Sequence, residues 1–352
     1  MVQARTVANL VEREGEAIAV CVDNKAKTVL KCHKFTETGI PTGETSVYGH
    51  LTDESVLSQE RVSQAGKELN DVLPKDRQID VEALQGTLED PAAVKALISV
   101  DDVLCKKQKE SGRKKGSLPP KKKERVKNTV AHIQSMKGGT YTMTTATIAQ
   151  MMIVLLAFLL SNGLLTLPGQ LIFFTDGAED LLLAIQKVFA FLPFKLILDW
   201  YHLDKKCQQR LSMAMKGKQI RNSVLEKLLA LLWIGKVDHA IDYLRSLNPD
   251  DVKDAEQIEK LIGYFSRNLS FIPCYALRQK LGLRVSSNPV EKANDLLVSQ
   301  RQKHNGMSWS ASGSHSLATL TCLRRNSEHM HWLRHHDIPF TFPQQKHAKP
   351  AA

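Results

Sequence analysis

The spacing of apolar positions changes character several times along this 352-residue chain. Up to about residue 95 the pattern is weak. AIAVCVDNKAKTVL (17–30) alternates enough for a hairpin around Asp23-Asn24, and 54–72 carries faint helical spacing. From Ala96 the pattern sharpens. ALISVDDVLC (96–105) is rich in apolar and β-branched residues and predicts a strand. VKNTVAHIQ (126–134) and GTYTMTT (139–145) predict two more, with Gly138-Gly139 as a tight turn between them. The period then becomes helical over 146–160. QLIFF (170–174) reads as a strand, 178–192 as an amphipathic helix, and FKLIL (194–198) as a last strand.

The order is β-β-β-α-β-α-β, which is that of an RNase H-like core: an α/β fold with a mixed five-stranded sheet flanked by helices. Residues 203–282 repeat Leu, Ile and Val at helical spacing and predict an all-helical insertion. Further helices are expected within 286–304 and 310–336. The chain thus divides into an accessory region (1–95), the first part of the core (96–202), the insertion (203–282), C-terminal core helices (283–336) and a loose tail (337–352).

Net charge is +11, and 106–127 supplies most of it: eleven Lys or Arg against Glu110 and Glu124. Gly112, Gly116, Pro119 and Pro120 make this stretch an expected exposed loop, suited to a polyanion. Six dispersed cysteines with no CxxC argue against a zinc ribbon or a disulfide framework. MVQARTVANLVEREGE has no apolar signal stretch, so a cytoplasmic, nucleoid-associated location is expected. The apolar run Met151 to Leu160 is ten residues, half of a membrane span, which predicts a buried helix and no membrane partner.

Three carboxylates stand out. Asp101, or its neighbour Asp102, closes the first core strand. Asp176 follows the QLIFF strand, which should lie about 4.8 Å from the first. Glu291 opens a distant helix. Three converging acids call for hard divalent cations between them. Each also has a local reading. Asp176 in DGAED suits a helix N-cap, and Asn288, Pro289 and Glu291 match N-cap, first-turn proline and capping-box glutamate. Asp199 and His202 in LDWYHL lie one strand further out, in a supporting or DNA-contact position, and Asp295 lies one turn beyond Glu291. The histidines of HMHWLRHH (329–336) have no tight-site spacing and read as a solvated helix end.

Taken together, SVDDVLCKKQK, VKNTVAHIQ, FFTDGAEDLLLAI, LILDWYHLDKK, SSNPVEKANDLLVSQRQKHNGMSWS and GSHSLATL resemble prokaryotic insertion-sequence transposases of the DDE, RNase H-like type, with Mutator-like relatives. The likeness covers about residues 95–335. It implies Asp101, Asp176 and Glu291 as the catalytic acids, holding Mg²⁺ or Mn²⁺ as two ions, with Asp101 preferred over Asp102 by a D-x-V pattern. DWYHL is similar to the family's C/D-x-x-H signature, which places it on Asp199 and His202. The implied partners are DNA, both element ends and target, and further copies of the chain assembled as a homo-oligomer on paired ends. DNA phosphates would meet Lys106, Lys107, Lys109, Arg113, Lys114, Lys115, Lys121, Lys122, Lys123, Arg301 and Lys303. Two other readings remain open: a nuclease of the same fold without strand transfer, and an inactive, truncated DNA-binding remnant.

Overall fold

The computed structural model describes residues 58–90, 92–108, 124–166, 169–303 and 306–343, and the backbone of a hairpin at 18–23 and 28–34. That hairpin pairs β1 (Ile18–Asp23) with β2 (Thr28–Lys34) in antiparallel fashion. Two helices, α1 (Gln59–Val72) and α2 (Val81–Gln85), follow. Ser58 caps the first of them and Asp80 the second, each accepting a hydrogen bond from a first-turn amide.

The core sheet contains β3 (Val94–Lys106), β4 (Arg125–Ser135), β5 (Thr140–Thr145), β6 (Gln170–Thr175) and β7 (Phe194–Leu198) in the order β5-β4-β3-β6-β7. β3, β4 and β5 form an antiparallel meander; β6 and β7 join parallel to β3. The helices that carry the chain back are α3 (Ile148–Ser161) and α4 (Glu179–Phe189). The mixed α/β architecture and the strand order follow the expected pattern. β3 and β4 are longer than their apolar cores, because they continue as a paired ribbon to Lys106↔Arg125. The two ends of the basic stretch are therefore strand. Lys109, Arg113, Lys114, Lys115, Lys121, Lys122 and Lys123 lie outside the described residues.

Alternation along β3 sends side chains to two different cores. Ala96, Ile98 and Val100 join Phe173, α3 and α4 in the largest one. Eight of the fourteen residues of α3 are buried there, and no helix among the described residues is long and apolar enough to cross a membrane. On the opposite face, Val103 and Val130 pack on Val290, Ala293 and Leu297. These belong to α10 (Asn288–Asn294) and its continuation through a π-helical turn at Asp295–Ser299 to Gln300–Gln302.

Between β7 and α10 lies the helical segment: α5 (Trp200–Ala214), α6 (Lys218–Trp233), α7 (Val237–Arg245), α8 (Ala255–Asn268) and α9 (Tyr275–Lys280) around a core of their own. α1 packs on it: Val62 and Ala65 meet Ile234, Cys274, Leu277 and Leu281. The chain ends with α11 (Ala311–Arg325) and α12 (His329–His335), where one helix was expected. Ser327, at φ 62°, separates them. The expected loose tail is packed as far as it is described. Phe340 is buried, its amide bonds Glu328, and Phe342 stacks edge-on against Phe158. The apolar residues Ile338, Phe340 and Phe342 account for this, each resting on the α3 core.

Candidate active site where β6 ends

The parallel register pairs Ser99 with Phe174, so two residues further on Asp101 comes level with Asp176. β6 stops at Thr175, whereas β3 continues. Asp101 thus sits mid-strand, not at a strand end, at the point where its parallel neighbour gives out. It shares a face with Val103, toward α10. Asp102 points the other way, accepting a hydrogen bond from Thr129 at 2.6 Å and pairing with Lys127. The pleat thereby puts Asp101, and not Asp102, on the face of Glu291.

Glu291 lies on the first turn of α10. Its expected capping-box role is not observed: the helix starts at Asn288 after Ser287, with Pro289 in the first turn and no side-chain cap. The carboxylate instead reaches His202 of α5, with Nε2 donating to Oε1 at 3.1 Å. One ligand atom each from Asp101, His202 and Glu291 lie within 4.8 Å of one another, a grouping of metal-ligand type. His202 therefore belongs with the acids and not one strand further out as expected. α5 starts at the end of β7 and turns His202 back toward β3, which the strand order alone does not reveal.

Asp199 orients this histidine. It is fully buried, which removes it from any DNA contact. Its Oδ2 faces His202 Nδ1 at 3.1 Å and accepts from the Ser287 amide at 2.9 Å and from the Ser287 hydroxyl. Its Oδ1 caps α5 through the Tyr201 amide at 2.7 Å. Burial disfavours the His202 imidazolium, but hydrogen bonds to Asp199 and Glu291 outweigh it and lift the ring to about 10. Glu291 is held below its ordinary range by the His202 hydrogen bond. Burial pushes Asp199 up, and the bonds from His202 and Ser287 bring it below the usual carboxylate value. Asp101 goes the other way. Burial first, then the charge of Glu291, raise it to about 6, with Asp176 adding to the same direction.

Asp176 is near enough to be felt but stands outside the tight trio. Its Oδ1 accepts from the Ala178 amide at 2.9 Å, a turn ahead of α4, and the N-cap position itself is Ala178. Gly177 is glycine for a backbone reason. Its φ is +78°, and a Cβ there would lie 2.9 Å from both Asn268 and Leu198. Asp295 bonds Gln300 and takes no part in the group. Arg301 and Lys303 are exposed, Lys106 is an exposed strand residue, and Lys107 pairs with Glu124. His331 bonds Asp337 at the exposed end of α12, away from any ligand group among the described residues.

Two residues of the site carried no signal that the sequence reading used. Asn294 donates to Asp101 Oδ2 at 2.5 Å, while its own buried Oδ1 has no hydrogen-bond partner. It stands three residues after Glu291, on the same helix face, and that spacing was the available clue. A π-helical turn begins at the next residue. Ser287 had no comparable signal, because its partner Asp199 is 88 residues away. Comparison with protein-family models, curated proteins and solved structures finds no match to this chain.

Proposed function

We propose that the chain is a metal-dependent DNA-processing enzyme with an RNase H-like core, and that it acts as a DDE transposase. The observation that carries the reading is the meeting of Asp101, Glu291 and His202, from β3, α10 and α5, beside the carboxyl end of β6 where Asp176 stands. The strand order β5-β4-β3-β6-β7, with two parallel strands added to an antiparallel meander, supports the fold. The choice of transposase among enzymes built this way rests on the sequence resemblance.

The residues fit a hard divalent cation. Carboxylate oxygens dominate the donor set, burial and then the charge of Glu291 raise Asp101, and the orphaned Asn294 Oδ1 offers another oxygen. Asp101 and Glu291, with Asp176 alongside, would hold Mg²⁺ or Mn²⁺. Such ions activate a water or a 3′-hydroxyl and stabilise the leaving oxygen of a phosphodiester. The chain's own part is positional. Asp199 fixes the His202 ring, His202 draws Glu291 inward, and Asn294 steadies Asp101. The basic residues around Lys106 would hold phosphates without reading sequence.

Purified protein incubated with Mg²⁺ and the DNA flanking its own coding sequence should release 3′ ends and join them to target DNA. Asp176→Asn should abolish both steps. Cleavage without joined products would make it a nuclease. Salt-sensitive binding without any cleavage would make it a DNA-binding remnant. Unchanged activity in Asp176→Asn would remove that acid from the site.

A further inference from the structure

Tyr201 is 46% exposed, in the first turn of α5, between two residues that face inward: half-buried Trp200, packed on buried Tyr275, on one side and the His202 clamp on the other. Its backbone is held by Asp199, yet its ring packs into no core. The ring lies edge-on to His202 with centroids 5.5 Å apart, which puts it one side chain away from the acids. One turn on, the Lys205 ammonium stands 5.5 Å from the Tyr201 ring centroid, and no carboxylate among the described residues forms an ion pair with it. Its charge is felt at Glu291.

An exposed aromatic face and an adjacent cation, both on one rigid helix turn, form the minimal device for holding one nucleotide by base and phosphate. Inside a duplex every base face is covered by its stacked neighbours, so the chemistry selects an unpaired nucleotide. The geometry points to Tyr201 as the stacking platform for an unpaired nucleobase next to the scissile phosphate, with Lys205 on that nucleotide's phosphate. This inference rests on the DNA-processing reading and specifies its substrate: an end that is frayed, flipped or single-stranded at the cut.

The test uses the full chain, Ca²⁺ to suppress cleavage, and a hairpin DNA with a three-nucleotide 3′ overhang carrying 2-aminopurine, against the blunt hairpin. Wild type should prefer the overhang and change its fluorescence. Tyr201→Ala should bind the overhang about tenfold more weakly while leaving the blunt hairpin unaffected, because stacking is the only contact removed. Tyr201→Phe should restore the preference. Lys205→Gln should weaken both DNAs and lower the salt slope by about one. Thermal unfolding of each variant reports whether it has folded. If Tyr201→Ala folds and keeps the overhang preference and the fluorescence change, the platform is refuted while Mg²⁺-dependent cleavage by wild type still upholds the function. If wild type neither binds nor cleaves any of these DNAs, the function and the platform fall together.

Discussion

Two groups of charge lie at opposite ends of β7, and they are built on opposite terms. Near its start, Arg278 clasps Glu89 through two bonds of 2.6 and 2.5 Å, and Lys195 adds a third contact at 3.3 Å. Both main partners are almost wholly buried. Burial alone would push Glu89 up, but Arg278 and Lys195 hold it below the ordinary range. Just past the other end of β7, three carboxylates from Asp101, Asp199 and Glu291 share one imidazolium. There Asp101 is left high, at about 6. The first group is satisfied internally and joins the 58–90 segment to α9. The second is short of positive charge, with one imidazolium for three carboxylates.

Breaking the closed group gives the largest expected effect on stability. Arg278→Met leaves Glu89 buried without its bidentate partner and should cost about 3–5 kcal/mol. Urea unfolding measures it. Adding Glu89→Gln should recover much of the loss, because the stranded charge is then gone. A single variant as stable as wild type would remove the contrast between the two groups.

The groups should also respond to pH with opposite signs. Glu89 is lowered on folding, so its contribution is present above the unfolded carboxylate pKa and fades as the solution is acidified below it. Asp101 is raised, so its contribution is complete below the unfolded value near 4 and disappears as pH climbs through about 6. Partial exposure reduces the full linkage, which leaves about 2 kcal/mol. In metal-free buffer, the stability difference between wild type and Asp101→Asn should therefore shift against wild type between pH 4 and 6. A flat difference across that window contradicts the burial argument.

Divalent cation should then repair the open group only. At pH 7, Mg²⁺ or Mn²⁺ at ten times its dissociation constant should add about 1.4 kcal/mol to wild type. Asp101→Asn or Glu291→Gln should lose that gain, and Arg278→Met should retain it. A thermal melt with and without the ion reads this. Equal stabilisation of all three variants would place the ion elsewhere.

Much of this contrast depends on long-range packing, and the sequence shows only part of it. The sheet was legible because the apolar runs of β3, β6 and β7 are short, β-branched or aromatic, and separated by helical spacing. Asp101 and Asp176 were legible as acids next to such runs, and Glu291 as an acid opening a later helix. His202 was misplaced by one strand, since the return of α5 toward β3 depends on Asp199 bonding Ser287 across 88 residues. Glu89 and Arg278 left no trace, being 189 positions apart with no local pattern. The need for glycine at position 177 was not legible either, because its positive φ and the approach of Asn268 belong to the fold, not to DGAED.

The smallest expected effect is the sharpest control, because it uses neighbouring residues of the same chemistry. Asp101 and Asp102 are adjacent aspartates, and the pleat sends them to opposite faces of β3. Asp102 meets Thr129 and the half-exposed Lys127, a surface ion pair whose loss costs no more than about 1 kcal/mol. On the proposed function, Asp102→Asn should therefore leave cation stabilisation and Mg²⁺-dependent cleavage at wild-type levels, whereas Asp101→Asn should remove both. Side-by-side melts and cleavage assays of the two variants separate burial in the acid group from acidity alone. If Asp102→Asn were the variant that lost the ion, β3 would have to be shifted by one residue, and the register that sets Asp101 beside Asp176 would be wrong.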